Sequence, residues 1–284
     1  MTSYRFCRPD DIPLLVQAIN DCYDVYFPDQ PPMSLERFRA EMRQLDVWPS
    51  NCMVAISGHD PVAVLIGTKR DHEVLVHHIG VRPGYERQGH GSHMVSSLSQ
   101  KLAVLGPPRL VAEVPHAIHG LDLFFESCDY SFETTFVDYW NPGLLGEPAP
   151  DELLVQVGVE ELLDAEVLEV PEGVAWERQL ATLRNRREEL AGLAVVSPER
   201  IEAYCLYHAP SHGAEVEILA ARCVGPSRHE VFLGLLLRHL AAEQSRPLSM
   251  PKASETELPP KLLAALGFEP GESYDRYTAE AIPA

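Results

Sequence analysis

The sequence predicts a mixed α/β fold, an α+β arrangement around a mixed sheet, built as two domains. Three observations carry this. Apolar, β-branched runs alternate with segments whose apolar residues recur at helical spacing, which argues for a sheet covered by helices. The 284 residues suit two domains of roughly 140 each. A Pro- and Gly-rich stretch at 141–151, Asn-Pro-Gly-Leu-Leu-Gly-Glu-Pro-Ala-Pro-Asp, reads as a linker and divides the chain into domains at 1–145 and 151–284.

In order, 4–8 reads as a short strand and Pro9-Asp10-Asp11 opens a helix with Ile12, Leu15, Val16 and Ile19 on one face. After the Pro-rich break at 28–32, Ser34 is placed to cap a second helix. That helix carries Leu35, Phe38, Met42 and Leu45, with Arg37, Arg39 and Arg43 outward. Residues 52–56 and 61–67 form two strands around a Gly58-His59-Asp60 turn. A strand at 109–114, a helix at 120–126 and a strand at 130–140 complete the first half.

Between them lies the stretch 74–105. Val74-Leu75-Val76-His77-His78-Ile79-Gly80-Val81 is a strand, Pro83-Gly84 a turn, and Met94, Val95, Leu98, Leu102 and Leu105 recur at helical offsets. Arg87-Gln88-Gly89-His90-Gly91-Ser92 therefore occupies the start of a helix, where unpaired N–H groups and the dipole favour an anion. An ordinary strand–turn–helix that uses glycine only to turn is the simpler alternative. No Gly-Lys-Ser/Thr follows and G-x-G-x-x-G is not met, so neither a Walker loop nor a dinucleotide fingerprint is present.

Composition narrows the function. With 45% hydrophobic and 23% charged residues, the chain has material for ordinary cores. A net charge of -19 argues against a nucleic-acid partner and mildly favours cationic substrates such as amines. Cys7, Cys22, Cys52, Cys128, Cys205 and Cys223 show no C-x-x-C spacing, and the first residues do not read as a signal peptide. Reduced thiols in a cytoplasmic setting are expected, with no membrane span. His90/His93 and His116/His119 have helix-compatible spacing, but no Cys, Asp or Glu joins them at zinc-like spacing, so no metal is expected.

Residues 79–92, Ile-Gly-Val-Arg-Pro-Gly-Tyr-Glu-Arg-Gln-Gly-His-Gly-Ser, resemble the acyl-CoA signature of the GNAT acetyltransferases, Q/R-x-x-G-x-G/A at a helix start, with Glu86 at the first motif position. The strand–R-P-x-D-D–helix opening and the element order of the first half also resemble that family. The resemblance implies acetyl-CoA as acyl donor. Ile79, Gly80 and Val81 would lie along pantetheine, and Arg87, Gln88, Gly89, His90, Gly91 and Ser92 would hold the pyrophosphate. It implies direct, sequential transfer of an acetyl group to a primary amine of a small-molecule or peptide acceptor, with Tyr23, Tyr26 and Phe27 near the acceptor side. His78, His77 and Glu113 are the candidate bases. Adjacent strand residues face opposite ways, so only one of the two histidines is expected to look into the cleft. The family's thiolate-protonating Tyr falls at Phe125 and its Gly-Phe pair at Asp129-Tyr130. A non-catalytic acyl-CoA-binding or sensing protein is therefore the alternative reading.

The remainder resembles a worn second copy, making the chain a tandem, internally pseudo-dimeric protein. A helix at 176–193 with an Arg- and Glu-rich outer face leads to strands at 193–196, 202–207 and 215–223. A helix at 231–240, a strand at 248–250, a closing helix at 262–269 and a strand at 274–279 follow. The loop at 225–230 has lost the glycine motif. A weaker reading puts catalysis here, with Glu217 as base.

Overall fold

The computed structural model describes residues 2–28, 30–143, 154–211, 213–225 and 229–282, the last without the His229 side chain. The 141–151 linker falls largely outside them, as do residues 226–228 of the 225–230 loop.

The chain opens with β1 (Thr2–Phe6) and, after a 3-10 turn at Pro9–Asp11, α1 (Ile12–Cys22). Leu15, Ala18, Ile19 and Cys22 of α1 are fully buried. Leu15 and Ile19 are expected on that face, whereas Ile12 and Val16 are only half-buried and the small Ala18 and Cys22 complete the stripe. In α2 (Leu35–Leu45) the Ser34 hydroxyl accepts the Arg37 N–H at 3.1 Å, the expected cap. A meander of β2 (Met53–Ser57), β3 (Asp60–Lys69) and β4 (Glu73–Val81) follows. Then come α3 (His90–Leu105), β5 (Arg109–Pro115), α4 (Leu121–Glu126) and β6 (Ser131–Asn141). Met94, Val95, Leu98 and Leu102 of α3 pack on Val74, Val76, Leu110 and Ala112, each contributing about 1.5–3 kcal/mol when fully buried.

Beyond the linker lie β7 (Leu154–Val157), α5 (Val159–Asp164), α6 (Leu180–Asn185), β8 (Ala191–Val196) and β9 (Ile201–His208). They are followed by β10 (Val216–Cys223), α7 (His229–Gln244), β11 (Leu248–Ala253), α8 (Pro260–Ala265) and β12 (Glu269–Glu280). Leu233, Leu236, Leu237 and Leu240 of α7 join the core over β9, β10 and β11.

Two departures from expectation lie here. The helix expected over 176–193 is a 3-10 turn at Trp176–Arg178 and the short α6, separated by Gln179 at extended ψ 151. Arg178, expected on an outer face, is wholly enclosed. It donates to the Glu257 carboxylate at 2.7 and 2.6 Å and to the Ile218 and Pro251 carbonyls at 2.9 and 3.0 Å. A buried cation needs this full set of acceptors, and the helix is interrupted where the chain turns to supply it. The strand β7 and helix α5 were not anticipated, because a four-residue strand with two exposed positions carries little pattern to read.

Contacts divide the chain into two units. One comprises Met1–Val114, Ile118–Thr134 and Asp275–Ala284, the other Pro115–Ala117 and Thr135–Tyr274. In the first, strands run in the order β1-β2-β3-β4-β5, followed by the portion of β12 from Asp275 and the portion of β6 up to Thr134. Arg276 there is 1% exposed and lies 2.9 Å from the Glu73 carboxylate and 3.2 Å from that of Glu133. In the second unit, β11-β10-β9-β8-β7 are neighbours, with β10 and β11 parallel. Among the described residues, no helix is long and apolar enough to cross a membrane.

Candidate functional site

In the first unit, β4 and β5 pair in parallel from Glu73↔Arg109 to Val76↔Ala112. Both strands continue past that rung, β4 to Val81 and β5 to Pro115. Residues immediately beyond the pairing carry backbone groups that face a partner other than the neighbouring strand. His77 on β4 and Glu113 on β5 are the first of these.

The β3–β4 register explains what happens next. Ile66 faces His78 but Gly67 faces Val76, so one residue of β4, His77, is extra. A β-bulge of this kind re-aims side chains. It cancels the alternation that would send the two histidines to opposite faces. The expectation that only one could look into the cleft is therefore corrected. The imidazole centroids of His77 and His78 lie 3.9 Å apart, and their Nε2 atoms lie 3.7 and 3.6 Å from the same Glu41 Oε2. The Tyr23 ring sits 4.3 Å from that of His78.

Burial sets the electrostatics. It pushes the His78 imidazole down to about 4, reinforced by the adjacent His77. Burial alone would raise Glu41, but the two imidazoles outweigh it and hold the carboxyl well below its usual range. Glu41 Oε2, His77 Nε2 and His78 Nε2 are all shielded from solvent without a hydrogen-bond partner.

Sequence reasoning missed Glu41. The signal was present: it stands between Phe38 and Leu45, both buried, and a carboxylate within the apolar stripe of a helix needs a partner. The Arg37–Glu41 pair at 3.3 Å imitates an ordinary surface i,i+4 bridge and hides it. Glu113 shares the Val111 face of β5 by strand alternation.

The glycine loop follows β4 directly. Gly80 is required by a close approach: a Cβ there would stand 2.2 Å from the Cys22 carbonyl oxygen and 2.9 Å from the Tyr23 Cα. Ile79 and Val81 turn the other way, onto the α3 side of the core. Glu86, which departs from the family's Gln or Arg, has a local task. Its carboxylate accepts the Gly84 N–H at 2.5 Å and lies 3.3 Å from the Tyr26 hydroxyl, which itself donates to the Val81 carbonyl at 2.6 Å. Arg87 at φ 62 and Gly89 at φ 84 bring the chain round to α3.

The N–H groups of His90, Gly91 and Ser92 thus open a long helix, where none has an intrahelical acceptor. Gly89 has no neighbouring atom within 4 Å of a built Cβ, and at Gly91 a Cβ would meet the Phe124 ring at 3.1 Å. A bare, positively polarised backbone of this form fits a pyrophosphate. The His90 imidazole points elsewhere, with Nδ1 2.5 Å from the Tyr4 hydroxyl, and His93 packs on the same ring at 4.0 Å. Both imidazoles support the loop from behind.

Phe125 is 3% exposed and packs edge-on against Phe124 and Tyr130 at 5.1 and 5.2 Å. It is core. Asp129 adopts φ 65, the left-handed conformation natural to the glycine of the family's Gly-Phe pair. In the second unit, Glu217 lies 3.7 Å from Arg186 and 3.6 Å from His208, so its carboxylate is already engaged by cationic or polar neighbours.

Comparison with known proteins bears on the fold that carries this site. Residues 14–130 match the Acetyltransferase (GNAT) family, a span running from α1 through the glycine loop to Tyr130. Over that span the chain is similar to the GNAT family. Solved structures extend the likeness over its length. A tandem GNAT protein from the clavulanic acid biosynthesis pathway is 16% identical, with TM-score 0.68 and 100% of both chains covered. A GCN5-related N-acetyltransferase from Sphaerobacter thermophilus is also 16% identical at TM-score 0.68, covering 100% of this chain and 96% of that one. A putative acetyltransferase from Pyrococcus horikoshii is 16% identical at TM-score 0.61, covering 99% and 90%. At these identities the structures establish the fold, two tandem GNAT-like domains. No curated protein matches the sequence.

Proposed function

We propose that this protein is an N-acetyltransferase that moves an acetyl group from acetyl-CoA to a primary amine by direct attack within the first domain, 1–145. Acetyl-CoA, when bound, supplies an activated thioester. The backbone of Arg87, Gln88, Gly89, His90, Gly91 and Ser92 would hold its pyrophosphate, and Ile79, Gly80 and Val81 would line pantetheine. The observation that carries the reading is the β4 bulge, which turns both imidazoles toward Glu41 at the place where β4 and β5 cease to pair.

The chain's own groups then divide the work. His78, with His77 beside it, takes the proton of the incoming amine on Nε2 as the C–N bond forms. The thiolate released when the C–S bond breaks takes its proton from water, since Phe125 cannot donate one. Glu41 is a positioning residue that offsets the positive charge the imidazole acquires. Glu113 offers a second carboxylate on the same face. Holding the amine in this cleft supplies much of the rate through orientation. Residues 151–284 form a degenerate second GNAT-like domain, the structural half of an internal pseudo-dimer, and the protein works in the cytoplasm.

Calorimetric titration of acetyl-CoA, followed by thiol release against a panel of small amines and peptide N-termini, tests the proposal. One site per chain with turnover is expected. His78→Asn and His77→Asn should each lower kcat by about 100-fold with acetyl-CoA affinity retained. Glu41→Gln should act mainly on kcat and be partly rescued by Glu41→Asp. Tight binding without turnover on any amine would overturn the enzyme in favour of a sensing protein.

A further inference from the structure

We propose that Glu41, His77 and His78 form a binding site for one divalent transition-metal ion of the zinc class. The inference rests on side-chain geometry, independently of whether the protein transfers acetyl groups.

Three potential donor atoms converge. One ligand atom from each of the three residues lies within 4.8 Å of the others. In a tetrahedral zinc site with bonds near 2.0–2.1 Å, neighbouring ligand atoms stand roughly 3.3–3.4 Å apart. The two separations from Glu41 Oε2, 3.7 Å to His77 Nε2 and 3.6 Å to His78 Nε2, exceed that by a few tenths of an ångström. They are also too long for good N–H···O hydrogen bonds. Each nitrogen is thus too far from the carboxylate oxygen to satisfy it and close to the spacing at which one ion would bridge the pair, with all three donors inside a 4.8 Å compass.

The surroundings agree. Those same three atoms are buried and without hydrogen-bond partners, an arrangement that costs stability unless a ligand completes it. The side chains are only 12–16% exposed, which leaves an entry route while excluding most water. Two rigid elements present the donors, the bulged β4 and the middle of α2, so the set does not depend on a loop. Imidazole nitrogen with a single carboxylate selects zinc, cobalt or nickel over magnesium or calcium, which take oxygen ligands. Three protein donors leave at least one coordination position for a further ligand. The protein's net charge of -19 favours cation capture. An ion bound here takes up the nitrogen lone pairs that the base would use, so the loaded protein holds its cleft in a form that cannot deprotonate an amine.

Cobalt titration of the chelator-treated full-length chain tests the site, because Co²⁺ reports its ligands optically. The expected result is one Co²⁺ per chain, visible d–d absorption without a thiolate charge-transfer band, and displacement by Zn²⁺. Glu41→Gln and His77→Asn should each weaken uptake by at least ~10-fold, while far-UV circular dichroism and a thermal melt show that the variant chains remain folded. No cobalt uptake by the wild-type chain would overturn the proposal. So would a thiolate band, which places the ion on cysteine, or uptake that survives both substitutions. The wild-type spectrum decides alone if either variant fails to fold. A lack of thiol release on any amine would sink the acetyltransferase reading and leave the cobalt result standing.

Discussion

A single inserted residue decides the character of the site. His77 is accommodated as a bulge between Ile66↔His78 and Gly67↔Val76, and without it one imidazole would turn into the α3-side core. Gly80 depends on the same local geometry. The end of α1 presses against it so closely that a methyl group would collide with backbone atoms of Cys22 and Tyr23, which cannot rotate away. Gly80→Ala should therefore destabilise the protein by about 1–3 kcal/mol, as overpacking does, visible as a lower midpoint in chemical denaturation. An unchanged midpoint would mean that α1 shifts freely, and with it Tyr23 beside His78. At this scale the sequence was partly legible. The two histidines and Glu113 stand out as polar residues in apolar strands, whereas Glu41 is disguised by its helical neighbour Arg37, and no periodicity encodes a bulge.

At the scale of elements, local pattern was a good guide wherever a segment was long and amphipathic. Leu15 and Ile19 of the α1 stripe, the Ser34 cap of α2 and the meander of β2, β3 and β4 follow directly from residue spacing. The start of α3 shows why its glycines matter. Gly89 needs a left-handed φ of 84, and Gly91 borders the Phe124 ring. Gly91→Val should lower acetyl-CoA affinity by at least ~10-fold, the loss of roughly one charge-assisted contact to phosphate, while leaving the thermal midpoint nearly unchanged because Phe124 can move. Calorimetry with acetyl-CoA and a parallel melt would check both halves. Retained affinity would place the pyrophosphate away from this loop. The second half was harder to read. Its break at Gln179 and the burial of Arg178 answer to acceptors on Ile218, Pro251 and Glu257, all remote in the chain.

For the whole molecule, the first unit is completed by the end of the chain. Tyr277 lies parallel to Phe125 at 6.4 Å, and the Arg276 guanidinium meets Glu73 and Glu133, with Arg109 bridging the same two carboxylates. Removing the buried cation leaves carboxylates short of a partner, so Arg276→Ala should cost about 3 kcal/mol. Truncation after Tyr274 should cost more, since it also strips a strand from between β5 and β6. Both effects should appear in hydrogen exchange of β4 and β5, and protection there that survives truncation would contradict this account of the fold.

By itself, the sequence determined the mixed-sheet class, the tandem layout, the main helices and strands, and the glycine loop that ties the first half to its family. These depend on periodicity and turn chemistry, which act over a few residues. Tertiary structure alone decided the shared direction of His77 and His78, the arrival of Glu41 against them and the return of residues from Asp275 into the first unit. Each brings together groups from separate elements, and the energies that select such contacts, burial of charge and close packing of backbones, are set only once the chain has folded.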